Sequence, residues 1–137
     1  MKRIIVVVLA MVMLFAFAST AYAWTSTGTA TWSSTKLSTY FNTTDSISKP
    51  AGTQFQYNWV TCEVWQCEFN DGTDASIGVY PVNTSNQIVG YGSGTSDPRT
   101  LALVLYDNPP NTIKLRIENH EGGVNIKTSG DWYSSYQ

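Results

Sequence analysis

Strand-length runs of alternating apolar and polar residues, each closed by glycine, proline or asparagine, most limit what this chain can become. Thr112–Glu118 is the cleanest. Ile113, Leu115 and Ile117 point one way, and Lys114, Arg116 and Glu118 the other. In the segment from Thr53, Phe55, Tyr57 and Trp59 alternate with Gln54, Gln56 and Asn58, which predicts a strand with one buried aromatic face. Ala75–Val82 sets Ala75, Ile77 and Val79 on one face. Thr100–Tyr106, TLALVLY, is apolar on both faces and predicts a central strand covered on each side. Residues 24–33, WTSTGTATWS, are rich in β-branched Thr and read as another strand. Shorter strands are expected at Lys36–Phe41, Gln87–Tyr91 and Val124–Thr128. Lys49-Pro50-Ala51-Gly52 and Asn70-Asp71-Gly72 are turns, and Gly92–Arg99 reads as a loop. No window after residue 23 carries a helical apolar period. The expected fold is all-β: a single antiparallel β-sandwich or jelly roll of about eight or nine strands.

The first residues follow a different logic. Lys2 and Arg3 precede the apolar run Ile4–Ala18, and Ala21-Tyr22-Ala23 is a small-x-small cleavage site. This is the pattern of a secretory signal peptide spanning residues 1–23. The apolar run is about fifteen residues, short of the roughly 20 that a membrane span needs. The expected mature domain is residues 24–137, exported to the extracellular space, without stable membrane insertion after cleavage. It keeps six Lys/Arg against ten Asp/Glu and has no basic cluster, which argues against a nucleic-acid partner.

The two cysteines, Cys62 and Cys67, lie within Tyr57–Phe69, YNWVTCEVWQCEF. On one regular strand, residues five apart face opposite ways, so the thiols could not meet. A hairpin with Glu63–Gln66 as its loop would bring them opposite each other, close enough for a disulfide. Export favours that bridge. It would pin a loop whose tip carries Val64 and Trp65, and these two residues become the candidate binding residues. The C-x4-C spacing fits neither a redox C-x-x-C nor a zinc site.

Asp74–Gly90, DASIGVYPVNTSNQIVG, followed by TLALVLYDNPPNTIKLRIENHEGGVNIKTSG, resembles bacterial pre-peptidase C-terminal domains, which are small jelly-roll sandwiches. Thr112–Asn119 is similar to their penultimate strand and Val124–Gly130 to their last. The likeness covers about half of residues 24–137. It departs at Pro81, where the family often carries Asp, and in the lack of an attached peptidase. The resemblance implies an exported accessory or binding module and supplies no catalytic residue.

A search for chemistry returns little. His120, in Asn119-His120-Glu121-Gly122-Gly123, is the single histidine. Ser93 sits in GYGSGTS, which is not the G-x-S-x-G nucleophile motif. Glu63, Glu68, Asp71, Asp74 and Asp131 could supply a carboxylate pair of the kind glycosidases use, but no spacing singles out a pair. Asp71 and Asp74, in Asn70-Asp71-Gly72-Thr73-Asp74, are weak candidate calcium ligands in a segment that a tight turn explains better. No cofactor motif occurs, and no catalytic residue is assigned. Aromatics are the most suggestive class: Trp24, Trp32, Trp59, Trp65 and Trp132. Trp59 is expected in the core and Trp65 on the presented loop. The leading expectation is a secreted, non-enzymatic protein that binds an extracellular polysaccharide or protein. An antimicrobial or toxin-like protein is the alternative, and a small hydrolase the third.

Overall fold

A computed structural model describes residues 23–137; the signal segment expected at residues 1–23 lies, but for Ala23, outside the described residues. The described chain is an antiparallel β-sandwich of ten strands: β1 (Thr25–Leu37), β2 (Tyr40–Asn42), β3 (Ile47–Ser48), β4 (Trp59–Phe69), β5 (Ile77–Val82), β6 (Gly90–Tyr91), β7 (Ser93–Thr95), β8 (Arg99–Leu105), β9 (Thr112–Asn119) and β10 (Ile126–Tyr136). One sheet runs β1-β10-β4-β8-β6, and the other β2-β9-β5-β7 with β3 also paired to β9. Alternation explains the layering. Ile113, Leu115 and Ile117 of β9 and Ile77 and Val79 of β5 are fully buried. They face Val60 and Cys62 of β4, Leu103 of β8, and Ile126 and Trp132 of β10. Trp32 and Trp132 pack at 6.0 Å with tilted rings, and the Trp32 indole N–H donates to Thr128 Oγ1 at 3.3 Å.

The expected cysteine hairpin is not there. Trp59–Phe69 is one continuous strand, paired on one side with β10 and on the other with β8. Its device is a β-bulge. Ser129 faces Gln66 and Gly130 faces Val64, so Trp65 is the extra residue. The inserted residue reverses the side-chain parity of the strand. Cys62 and Cys67, which would face opposite ways on a regular strand, are therefore both buried in the core. They are free thiols. Five residues of extended strand separate their Cα atoms by about 16 Å, far beyond what a disulfide spans.

Burial pushes the Cys62 thiol up to about 12, with Asp131 and Glu63 adding to the shift. Burial likewise pushes Cys67 up to about 11, helped by Asp74. Thiolate is the reactive form, so both should be inert while the chain is folded. Alkylation of native protein at mildly alkaline pH is expected to label neither cysteine. Unfolding without reductant should expose both. Unfolded protein that stays unlabelled until reductant is added would restore the disulfide.

Other expectations need correction. The Phe55-Tyr57-Trp59 alternation breaks because Gln56–Asn58 forms a 3-10 turn with positive φ at Tyr57 (52°) and Asn58 (53°). Phe55 is buried, but Tyr57 is 71 % and Trp59 49 % exposed. The outer residues of β8, Ala102 and Val104, are exposed too, so that apolar strand is covered on one side only. Ser93–Thr95, within the expected loop, forms β7 against β5. The last strand does not stop at Thr128 but runs on to Tyr136 between β1 and β4.

Candidate functional site

The outer face of the β1-β10-β4-β8-β6 sheet carries most of the exposed rings. At one end of the sheet Trp59 on β4 faces Val104 on β8, and Val104 faces Tyr91 on β6. Tyr106, just beyond β8, meets the Tyr91 ring edge-on at 5.1 Å. On the other side of Trp59 the Tyr57 ring lies 5.9 Å away, and Trp24, just before β1, lies 6.1 Å from Tyr57. All six side chains are at least 38 % exposed. They form one apolar band crossing the strands. A sheet of five strands has four spacings of roughly 4.8 Å, so the band is about 19 Å long.

The backbone under this band is held in place. Gln54 and Gln137 exchange backbone hydrogen bonds at 2.9 and 3.0 Å. Lys49 is buried beneath the segment. Its ammonium donates to the Thr53 carbonyl at 2.6 Å and to Asn111 Oδ1 at 2.9 Å, and it lies 5.4 Å from the Phe55 ring centre. The Ser134 hydroxyl donates to the Trp59 carbonyl at 2.6 Å. These contacts support Tyr57 in a left-handed conformation that bulky residues seldom adopt. Such strain persists only where the surroundings over-determine it. Here its effect is to turn the most exposed of these rings out to solvent, between Trp24 and Trp59.

Beside the band, Glu63 on β4 faces Asp131 on β10. Of the five carboxylates named from sequence, these two meet across adjacent strands; Glu68 and Asp74 also meet, through a single β-bridge. The Tyr133 hydroxyl donates to Glu63 Oε1 at 3.2 Å. Asp131 Oδ1 is buried with no hydrogen-bond partner. Burial, and then the Glu63 charge, raises the Asp131 carboxyl above its ordinary value. Burial and Glu63 also raise the Tyr133 phenol. A carboxyl raised on folding favours the folded state fully below its unfolded value. That contribution is lost as pH rises through the folded value. Asp131→Asn should therefore raise the melting temperature slightly at neutral pH, with the gain vanishing below about pH 4. An equal gain at every pH would show that charge is not the cause.

The residues named from sequence are scattered by the fold. Trp65 is 54 % exposed on the bulge, six residues along β4 from Trp59 and away from the band. It borders an open recess with Thr31, Ser33, Asp45 and Ser129. Val64 is 2 % exposed, points into the core and cannot bind a partner. Asp71 Oδ1 accepts from the Thr73 backbone N–H at 3.0 Å and its hydroxyl at 2.7 Å, and these bonds hold the carboxyl below its ordinary value. The Asn70–Asp74 segment thus uses Asp71 to close its own turn. Among the described residues, no three or more His, Cys, Asp or Glu side chains converge into a metal site. His120 is exposed on a loop beside Gly78 and Gly94.

Sequence reasoning missed the band. Tyr106 had a legible signal, since TLALVLY ending in an aromatic is compatible with one open face. Tyr57 and Trp59 had none, because their exposure follows from two left-handed residues that no glycine announces. The chain matches no family model and no curated protein.

Proposed function

We propose that this is an exported, non-enzymatic β-sandwich that binds an extracellular macromolecule through the outer face of its β1-β10-β4-β8-β6 sheet. The observation that carries this reading is the continuous exposed band from Trp24 to Tyr91. Six large apolar side chains on one open face are what an interaction surface looks like, whereas single exposed rings are ordinary. Rigid support beneath Tyr57 and Trp59 lowers the ordering cost of binding. The signal-peptide pattern and the resemblance to accessory jelly-roll domains point to the same setting. Purified residues 24–137 should be retained on an insoluble polysaccharide or an extracellular protein. Trp59→Ala should weaken retention about tenfold or more with little change in stability. Retention that survives both Trp59→Ala and Tyr91→Ala would remove this face from consideration.

A second reading, a small glycoside hydrolase, draws on the Glu63–Asp131 pair. Directly facing strand residues hold their Cβ atoms about 4.5–5.5 Å apart, and retaining glycosidases hold their carboxyl groups about 5–5.5 Å apart. The raised Asp131 would be the acid and Glu63 the nucleophile. New reducing ends, released by the protein and lost in both Asp131→Asn and Glu63→Gln, would establish it.

A further inference from the structure

The chemistry around the band narrows the ligand. Resting on the proposed binding role of this face, we infer that the partner is a neutral polysaccharide chain lying across the strands, stacked on Trp24–Tyr57–Trp59 at one end and Tyr91–Tyr106 at the other.

Three observations support this ligand over other occupants. The first is shape. The band is long and narrow, one or two side chains deep and about 19 Å long. An extended chain of several sugar rings matches it better than a compact protein epitope does. Pyranose rings with equatorial hydroxyls carry axial C–H groups on both faces, and such faces stack on indole and phenol rings.

The second is charge. None of the six basic residues of the described chain stands at the band. Arg99 pairs opposite Val64, midway along β4, and Lys127 opposite Glu68, near its far end. Lys36 precedes Leu37, which faces Ile126 at that same end. Lys114 and Arg116 are on β9 in the other sheet, and Lys49 is buried. The nearby charges are the carboxylates of Glu63, Asp131 and Asp107. A polyanion or an anionic membrane would be repelled, whereas a neutral chain meets no opposing charge.

The third is the hydrogen-bonding margin. Thr61 and Tyr133 face each other across β4 and β10 in the next row, and Gln56 and Ser135 line the same shallow hollow beside Tyr57 and Trp59. Hydroxyl and amide groups beside an aromatic surface suit a ligand whose ring edges are all hydroxyls. The Tyr133–Glu63 pair adds a phenol and a carboxylate within reach of them.

The test is affinity electrophoresis and pull-down with residues 24–137 on three supports: neutral polysaccharides with equatorial hydroxyls (cellulose, soluble β-glucan, chitin), an anionic polysaccharide, and vesicles containing anionic lipid. Retention is expected on at least one neutral chain, nearly unaffected by salt, with a tryptophan fluorescence change on adding its oligosaccharides. Trp59→Ala and Tyr91→Ala should each weaken it about tenfold or more, about 1.4 kcal/mol. Trp65→Ala, six residues along β4 from Trp59 on the bulge, should leave it unchanged. Binding to the anionic support or vesicles alone, lost in salt, would overturn the inference. So would a dimer abolished by Trp59→Ala, which would make a second copy the occupant, and so would retention on none of the supports. If a protein partner is instead found whose binding needs Trp59 and Tyr91, the sugar is refuted and the surface stands. If a neutral polysaccharide binds but both substitutions are silent, the surface itself is wrong.

Discussion

Trp132→Ala should cost about 3–5 kcal/mol of stability, whereas Trp59→Ala should change it by no more than about 0.5 kcal/mol. The alternation of apolar residues points to the opposite for Trp59, since it places that ring in the core. The structure gives the core position to Trp132, which has no exposed surface and packs against Trp32. It sits on β10 between β1 and β4, so truncating it opens a void on the inner face of the β1-β10-β4-β8-β6 sheet. Its indole N–H is buried without an acceptor. Trp132→Phe should therefore be far milder than Trp132→Ala. It keeps most of the ring volume and removes a donor whose burial unpaired is itself destabilising. Denaturant unfolding of the three variants would check the order. A Trp59→Ala loss matching that of Trp132→Ala would mean that Trp59 is packed, not presented.

Gly130→Ala should destabilise the fold by about 1–3 kcal/mol or more. The reason is space, not backbone conformation, since Gly130 is not among the residues with positive φ. A Cβ there would overlap the Glu63 carbonyl oxygen and the outer edge of the Trp32 ring. A ring can move, but a carbonyl in a strand with a partner on each side cannot move cheaply. Trp32→Phe should accordingly fail to rescue Gly130→Ala. Gly130 also stands at the register shift, opposite Val64, where the extra residue Trp65 is accommodated. Crowding this point should disturb the bulge and the Glu63–Asp131 row next to it. Equal stability of Gly130→Ala and the parent would mean that the strands separate there more easily than the close contact implies.

Both expectations lie where sequence and tertiary structure part. Alternation alone determined the all-β class and the inner face of β9 and β5. There Ile113, Leu115, Ile117, Ile77 and Val79 are buried as their period requires, because a regular strand fixes which face each residue takes. Composition also marked the aromatics as the residues to explain.

The tertiary structure decided three further matters. It absorbed Trp65 as a bulge, which turned Cys67 to the same inner face as Cys62, well apart from it along the strand, and removed the need for a hairpin. Parity arguments hold only while no residue is inserted, and here the extra residue, beyond the end of the β8 pairing at Val64, is accommodated against β10 with no mark in the sequence. It left the outer face of β8 uncovered, because layer order is set by which sheet packs on which side, not by the apolarity of one strand. And it turned Tyr57 and Trp59 outward through two left-handed residues, held by contacts from Lys49, Gln137 and Ser134. The contacts of Lys49 with Asn111, of Gln137 with Gln54 and of Ser134 with Trp59 join residues distant in sequence, so local pattern carries no trace of them, and the band they help create exists only once the sandwich has closed.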